Sequence, residues 1–181
     1  MVKVDRRSLR SQESIKGAFI ALLAEKSFDE ITIQDIADKA NVGRRTIYLH
    51  YLDKYDLLDR LIEEYISELR RLCQSSSDLS FVDAMRIWFE FFEQNYSFFA
   101  TILASKGASS FRSGFIKLVS EELEGELDVA EGINKGFSKD IVRKFMVTAT
   151  VGIIESYFTK EITDPIDVVA EQVGRLLERN L

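Results

Sequence analysis

Residues 42–54 (VGRRTIYLHYLDK) concentrate hydrogen-bond donors in one short stretch of the chain. The stretch contains two adjacent arginines, Arg44 and Arg45, one threonine, two tyrosines and His50, the only histidine of the sequence. Arginine donates paired hydrogen bonds to guanine in the major groove, and donors near a helix N-terminus bind phosphate oxygens. These residue types at this density therefore favour contact with a nucleic acid.

A helix that begins near Arg44 divides these side chains between two faces. Ile47 and Tyr51, four residues apart, face the protein core, whereas Arg44, Arg45, Tyr48 and Leu49 project the other way. We predict that the two arginines and Tyr48 reach base edges and that the remaining donors hold phosphates. The predicted DNA contacts are Thr32, Arg44, Arg45, Thr46, Tyr48, His50, Tyr51 and Lys54.

The elements that must position this stretch are two short helices. Thr32 is placed to cap the first of them, with Asp35 three residues on as an imperfect capping box. Asn41 tolerates the left-handed backbone of a tight turn, and Gly43 is a modest N-cap for a helix over about 44–50. Two short helices joined by such a turn form a helix-turn-helix.

The rest of the chain also reads as helix, because it contains one proline and its apolar residues recur at helical spacing. Asp53 is placed to cap a long helix over about 53–74, which ends at the polar stretch CQSSSDLS. We predict an all-α fold with a three-helix DNA-binding domain over 1–52, including a basic N-terminal arm. A helical ligand-binding and dimerisation bundle over 53–181 follows, and the helix 53–74 connects the two.

Charge is distributed unevenly along the chain. Residues 1–60 hold 11 Lys and Arg against 10 Asp and Glu, whereas residues 61–181 hold 13 against 20. Such a balance argues against nonspecific coating of nucleic acid, and a local basic stripe matters more for a specific reader. Basic residues cluster at Lys3, Arg6, Arg7 and Arg10 and again at Arg44, Arg45 and Lys54, although such clusters are usually solvated faces.

The sequence also indicates where the protein works. No apolar run approaches the roughly 20 residues of a membrane span, and the basic N-terminus is not followed by the apolar region of a signal peptide. The single cysteine, Cys73, has no partner for an internal disulfide and is interpreted as core filler. We expect a globular cytoplasmic protein that does not contact a membrane.

The segment 32–58, TIQDIADKANVGRRTIYLHYLDKYDLL, with IKGAFIALLAEKSFDEI before it, resembles the DNA-binding domain of the TetR family of bacterial transcriptional regulators. The resemblance covers about residues 10–60 and includes the run T-[IL]-Y-x-[HY]-[FY] at 46–51. Family members usually have Gly at the position of Asn41, Ser at that of Gly43 and often Gly at that of Arg45. The resemblance implies a homodimeric regulator, most often a repressor, that binds an inverted repeat in double-stranded DNA.

An aromatic stretch, FVDAMRIWFEFFEQNYSFFATIL, lies in the C-terminal part. Such a stripe at helical spacing is more often core, and the alternative is a pocket for a small apolar effector with Arg86 or Arg112 as polar anchor. The candidate ligand residues are Trp88, Phe92, Tyr96, Phe99, Arg112, Phe115, Phe145 and Tyr157. With FRSGFIKLVSEEL, this part is similar to the C-terminal domain of many Firmicutes members, some of which act with a protein partner. A co-regulator or co-activator of that kind is therefore the alternative function.

The last two helices carry the predicted dimer interface. Small residues on one face of the first permit close approach of another helix, and the second has a broad apolar stripe. In the TetR family these two helices pair with their twofold mates, which favours an interface over ordinary packing within the chain. The predicted interface residues are Ala149, Gly152, Ser156, Val169, Val173 and Leu176.

Enzymatic function is the competing class, and the sequence argues against it. With one histidine and one cysteine, no phosphate-binding glycine loop and no HExxH or GxSxG pattern, neither a metal site nor a nucleophile with its base is apparent. The acidic residues Glu121, Glu122, Glu124 and Glu126 are interpreted as a solvated helix end. We expect no enzymatic activity, no cofactor and no metal.

Overall fold

The computed structural model describes residues 6–74, 79–103 and 108–181, except the side chain of Ala108, so Lys3 of the predicted basic cluster lies outside it. The described residues form nine α-helices and no strand, which confirms the predicted all-α fold. The helices are α1 (Arg6–Glu25), α2 (Ile33–Ala40), α3 (Arg44–Tyr48), α4 (Lys54–Gln74), α5 (Phe81–Gln94), α6 (Tyr96–Leu103), α7 (Ala108–Glu122), α8 (Lys139–Phe158) and α9 (Ile166–Asn180), with 3-10 turns at Phe28–Glu30 and Gly132–Asn134. Within the described ranges, no helix is long and apolar enough to cross a membrane.

Helix α1 packs across α2 and also reaches the C-terminal bundle. Its apolar side, including Ile15 and Phe19, is fully buried. The Ser14 hydroxyl donates to the carbonyl of Ala40 at 2.9 Å, which fixes the end of α2. At the other end of α1, the carbonyl of Leu23 accepts from the Thr101 hydroxyl of α6 at 2.9 Å. The first three helices are therefore tied directly to the bundle behind them.

The predicted caps of the helix-turn-helix are confirmed. The Thr32 hydroxyl accepts from the backbone N–H of Asp35, and the Asp35 carboxylate accepts from the backbone N–H of Thr32, which completes the capping box. Asn41 has φ 53° and ψ 47°, the left-handed conformation expected of the turn. Gly43 is the N-cap of α3 with an extended backbone. Helix α3 itself ends at Tyr48, two residues before the predicted end.

Helix α4 corresponds to the long helix predicted over about 53–74. The Asp53 carboxylate accepts from the backbone N–H groups of Tyr55 and Asp56, both at 2.8 Å, so the predicted cap is confirmed. The helix has 21 residues and is therefore about 30 Å long. Its buried side packs mainly against α7 and also against α5.

The aromatic stretch is core, and the prediction of an effector pocket between its rings is wrong. Phe92, Phe99 and Phe115 are fully buried, and the Phe92 ring lies 4.8 Å from that of Phe99 and 5.5 Å from that of Phe115, centre to centre. The Trp88 ring packs on Phe115 at 5.4 Å. Such edge-to-face and tilted contacts fill the interior with the rings themselves.

The other candidate ligand residues are also engaged or lie elsewhere. The Tyr157 hydroxyl donates to Glu93 at 2.6 Å, and the Tyr96 ring lies 5.3 Å from that of Phe158. Phe145 is 66% exposed on the outer side of α8, away from this core. Its position is a correction, since a phenylalanine on a largely apolar helix gives no sign of which face is covered. The predicted anchors form surface ion pairs: Arg112 with Glu155 at 3.2 Å, and Arg86 with Asp83 at 3.3 Å.

Helix α9 packs on α5 of the same chain, which corrects part of the predicted dimer interface. Val169 and Val173 are buried within this one chain and are not available to a second copy. The contact is close because a Cβ at Gly174 would lie 2.4 Å from the Cα of Val82. Leu176, on the other side of α9, remains exposed. The amphipathic stripe therefore has an intramolecular partner that the sequence alone did not reveal.

Candidate nucleic-acid interface

Helix α3 presents large polar side chains to solvent above a buried anchor. Ile47 is fully buried, whereas Arg44, Arg45 and Tyr48 are exposed, Tyr48 by 56%. The predicted division of α3 into a core face and an open face is thus confirmed. The helix has only five residues, so its first turn carries both exposed arginines.

The residues that were predicted to contact phosphates beside α3 differ in whether their polar groups are exposed or already bonded within the protein. Thr46 and His50 are half-buried on the flanks of the helix and keep part of their surface open. The exposed Thr32 hydroxyl donates to the Asp35 carboxylate at 2.7 Å. Asp35 also accepts from the Lys26 ammonium at 2.9 Å, and these contacts hold the pKa of its carboxyl well below the usual range. Because the Thr32 hydroxyl is held in the helix cap, the group at this place that can contact a phosphate is chiefly the N-terminus of α2.

Tyr51 is a core residue, which corrects its place among the predicted DNA contacts. Its side chain is 3% exposed, and the Arg60 guanidinium lies 5.5 Å from the centre of its ring. Burial raises the pKa of the Tyr51 hydroxyl. The burial agrees with the helical spacing from Ile47, which favoured the core for this residue.

Lys54 is committed to the protein and is not free to hold a phosphate, a second correction. Its ammonium donates to the carbonyl oxygens of Phe28 at 2.9 Å, Asp29 at 3.0 Å and Ile31 at 2.8 Å. A lysine ammonium has three N–H donors, and these three carbonyls take all of them. The residue therefore joins the start of α4 to the 3-10 turn between α1 and α2.

Basic side chains also mark the start of α1. Arg6, Arg7 and Arg10 are exposed there, at the first described residues of the chain. Exposed arginines on a helix of a small, nearly neutral domain supply the local positive potential that attracts a polyanion. The described part of the predicted arm thus has the charge and exposure that nucleic-acid binding requires.

Two family profiles match the chain at the places that this geometry indicates. The profile described as "Bacterial regulatory proteins, tetR family" matches residues 18–61, which include α2, the turn and α3. The profile described as "Transcriptional regulator C-terminal region" matches residues 80–179, more than half of the chain. The chain belongs to the TetR family. It is therefore a DNA-binding transcriptional regulator built on a helix-turn-helix.

Comparison with single proteins agrees with this assignment. The chain is 41% identical over 68 residues to a Bacillus subtilis protein named "Uncharacterized HTH-type transcriptional regulator YxbF". That match covers 37% of this chain and 18% of the length of the B. subtilis protein, so the likeness is confined to a small part of that protein.

Two solved structures share the fold over nearly the whole chain. A TetR transcriptional regulator from Streptococcus agalactiae superimposes with a TM-score of 0.71 at 26% identity, and the match covers 96% of each chain. A TetR-family regulator from Syntrophomonas wolfei superimposes with a TM-score of 0.72 at 18% identity over 93% of each chain. At 18% identity, the likeness to the S. wolfei structure concerns the fold alone.

The surface around α3 also contains apolar residues that were not among the predicted DNA contacts. Leu49, on the open side of the α3 segment, is 73% exposed, and Leu52 after it is 80% exposed. An exposed leucine that enters the major groove can contact the methyl group of thymine. The helical spacing placed Leu49 on the open face, but a motif of hydrogen-bond donors gives no signal for an apolar contact.

A second surface of this regulator is apolar and lies on the C-terminal part. On α8, Ile141, Phe145 and Ala149 are exposed, and Phe137 just before the helix is exposed as well. Gly152 and Ser156, further along α8, are half-buried. A contiguous exposed apolar patch of this kind marks an interaction site on a folded protein. The predicted small-residue face of α8 therefore borders large apolar side chains.

Proposed function

We propose that this regulator binds an inverted-repeat operator as a homodimer and represses transcription until a small molecule releases it. The observation that carries the proposal is the exposure of Arg44, Arg45 and Tyr48 on α3 above the buried Ile47. In a helix-turn-helix, the residues at the start of the second helix contact base edges in the major groove. Because DNA lies in the cytoplasm of a bacterium, the protein acts there.

The proposed contacts fall into two kinds. Arg44 and Arg45 read base edges through paired hydrogen bonds, and Leu49 adds an apolar contact to a thymine methyl group. Thr46, His50 and the N-terminus of α2 at Thr32 contact phosphates and fix the position of α3 without reading sequence. This chain has Arg45 at a position where family members often have glycine. Because Arg45 reads a base that glycine does not contact, we expect its operator to differ from theirs.

Dimerisation is supported by the exposed apolar surface of α8. One helix-turn-helix makes few phosphate contacts, and two related by a twofold axis bind two half-sites about one helical turn apart. Covering Phe145, Ile141 and Phe137 with the same residues of a second copy removes large apolar side chains from water. Leu176 on α9 is also exposed and is a second candidate for the interface.

Release by a small molecule is supported by the path of α4. The helix begins at Lys54, which is fixed to the DNA-binding helices, and ends among the helices of the bundle. A ligand that shifts one end of such a rigid element also shifts the other. The ligand in the bundle would then weaken DNA binding, and DNA would weaken binding of the ligand by the same factor.

Selection of bound duplexes from random DNA by the purified protein tests the proposal. Enrichment of an inverted repeat, bound by two copies, is the expected result. A pool with no enriched sequence would contradict it, and would favour the alternative in which the protein regulates through a protein partner. Repression is then tested by placing the selected repeat within a promoter and comparing transcription with and without the regulator.

A further inference from the structure

A cavity of about 210 Å³ lies beside the C-terminal end of α4. Met85, Trp88, Val119 and Leu177 form much of its apolar wall, contributed by α5, α7 and α9. The volume is below the roughly 300–1,000 Å³ of sites for drug-sized ligands, so an occupant would be small. Trp88 lines this cavity and also packs on Phe115 of the filled aromatic core.

The polar part of this cavity is acidic. Glu122 at the end of α7 and Glu126 just after it both line the cavity, and Thr150 of α8 joins them with 2% of its surface exposed. Among the described residues of the lining, none is lysine or arginine. All four glutamates are exposed, which confirms their interpretation as a solvated helix end. Two of them, Glu122 and Glu126, also border the apolar wall of this cavity.

The indole of Trp88 and the thiol of Cys73 contact each other in the wall, and neither of these two groups is charged. The indole N–H of Trp88 donates to the Cys73 sulfur at 3.1 Å. Burial raises the pKa of the Cys73 thiol to about 11, so the thiol stays protonated near neutral pH. Burial likewise raises the pKa of Glu122, a carboxyl next to this thiol, because its negative charge is partly removed from water. The positive charge of Arg70 offsets part of that cost, and a cation in the cavity would offset more of it.

We propose that this cavity binds a small organic cation, whose ammonium group pairs with Glu122 and Glu126 while its apolar body lies between Trp88 and Val119. An apolar wall fits a single ring or a short hydrocarbon chain, and two carboxylates without a lysine or arginine in the described lining select a positive charge. The inference rests on the proposed function in one respect, because it names the chemical class of the releasing molecule.

Trp88 provides a direct signal, because it is the only tryptophan of the chain. The full-length protein is titrated with 2-phenylethylammonium, and Trp88 fluorescence and calorimetry are followed together. Two probes of the same shape serve as controls: neutral 2-phenylethanol and the anion 3-phenylpropanoate. Saturable binding of the ammonium compound, and much weaker binding of both controls, is the expected result. Equal binding of the alcohol, or no binding of the ammonium compound, would overturn the proposal.

Two neighbouring glutamates give a matched pair of variants. Glu122→Gln should weaken binding of the ammonium compound by about tenfold to a hundredfold, as loss of one charge-assisted contact does. Glu124→Gln should bind it like wild type, because Glu124 is exposed, lies 3.7 Å from Arg143 and does not line the cavity. Ala84→Leu, which fills the cavity with a neutral side chain, should abolish binding. Equal affinities for all four proteins would place the compound elsewhere.

DNA binding is measured separately on the selected duplex, so that the two proposals fail in different ways. Protein that binds the inverted repeat but not the ammonium compound contradicts the cation site alone. Protein that binds the compound but no specific duplex contradicts the proposed repressor. If both proposals hold, the compound weakens DNA binding, and the duplex weakens binding of the compound by the same factor.

Discussion

The ammonium group of Lys54 donates to the carbonyl oxygen of Phe28 at 2.9 Å and lies 4.7 Å from the centre of the Phe28 ring. Two further carbonyls, of Asp29 and Ile31, accept from the same ammonium. Phe28 is itself buried against Phe19 of α1, with ring centres 6.2 Å apart. One cation thus holds the beginning of α4 against the connection between α1 and α2.

Replacing Lys54 by methionine should lower the free energy of unfolding by about 2 kcal/mol, because half-buried carbonyls lose a charged donor. Urea denaturation measures this loss. Lys39→Met is the control: its ammonium pairs with Glu25 at the surface, and the change should be within about 0.5 kcal/mol of wild type. A Lys54→Met protein of wild-type stability whose DNA binding depends less steeply on salt would instead identify Lys54 as a phosphate contact.

Gly174→Ala should destabilise the protein by about 1–3 kcal/mol or more, because the new Cβ would lie 2.4 Å from the backbone of Val82 and must push α9 away from α5. Thermal and urea unfolding measure the effect. The matched control is Gly17→Ala on α1, where a Cβ meets nothing within 4 Å and alanine favours the helix by up to about 1 kcal/mol. Equal stabilities of the two variants would contradict the close packing of α5 on α9.

Phe145→Asp should give a folded monomer, because its exposed ring is proposed to lie in the dimer interface and a charge there cannot be covered by a second copy. Sedimentation at micromolar concentration, with circular dichroism to verify the fold, measures the outcome. Leu49→Asp, an equally exposed substitution near α3, should remain a dimer. Were Phe145→Asp to sediment like wild type, the interface would lie on another surface.

The ion pair between Asp35 and Lys26 predicts a specific dependence of the free energy of unfolding on pH. Contacts with Lys26 and Thr32 lower the folded-state pKa of Asp35 below its ordinary value of 3.8. The stabilisation is therefore present above about pH 4 and is lost as the pH falls through the lower folded-state pKa. Asp35→Asn should make the free energy of unfolding less dependent on pH in the acid range. Parallel curves for wild type and variant between pH 5 and pH 2 would show that Asp35 carries none of this dependence.

The sequence predicted local features correctly because nearby residues determine them. Thr32 and Asp35 are three residues apart, and Asn41 and Gly43 carry their own backbone preferences, so the caps and the turn followed from the sequence. Spacing alone placed Ile47 in the core.

Errors arose where a distant part of the chain decides the role of a residue. The three carbonyls that bind Lys54 belong to residues more than 20 positions away. Val173 lies on a helix that packs against α5, about 80–90 positions earlier. An amphipathic stripe shows that a face will be covered, but not whether the same chain or a second copy covers it. Likewise, Glu122 is a surface residue, as predicted, but its place at a cavity depends on walls from α5 and α9 that lie far away in the sequence.

The most direct test of the account is equilibrium binding of wild type and Arg45→Ala to the selected inverted repeat and to a scrambled duplex, at several salt concentrations. We expect wild type to prefer the repeat strongly. Arg45→Ala should lose about 1–3 kcal/mol on the repeat and relax one base preference in each half-site, while its binding to the scrambled duplex changes much less. Equal weakening on both duplexes would make Arg45 a phosphate contact, and binding of wild type that ignores sequence would contradict the proposal that α3 reads an operator.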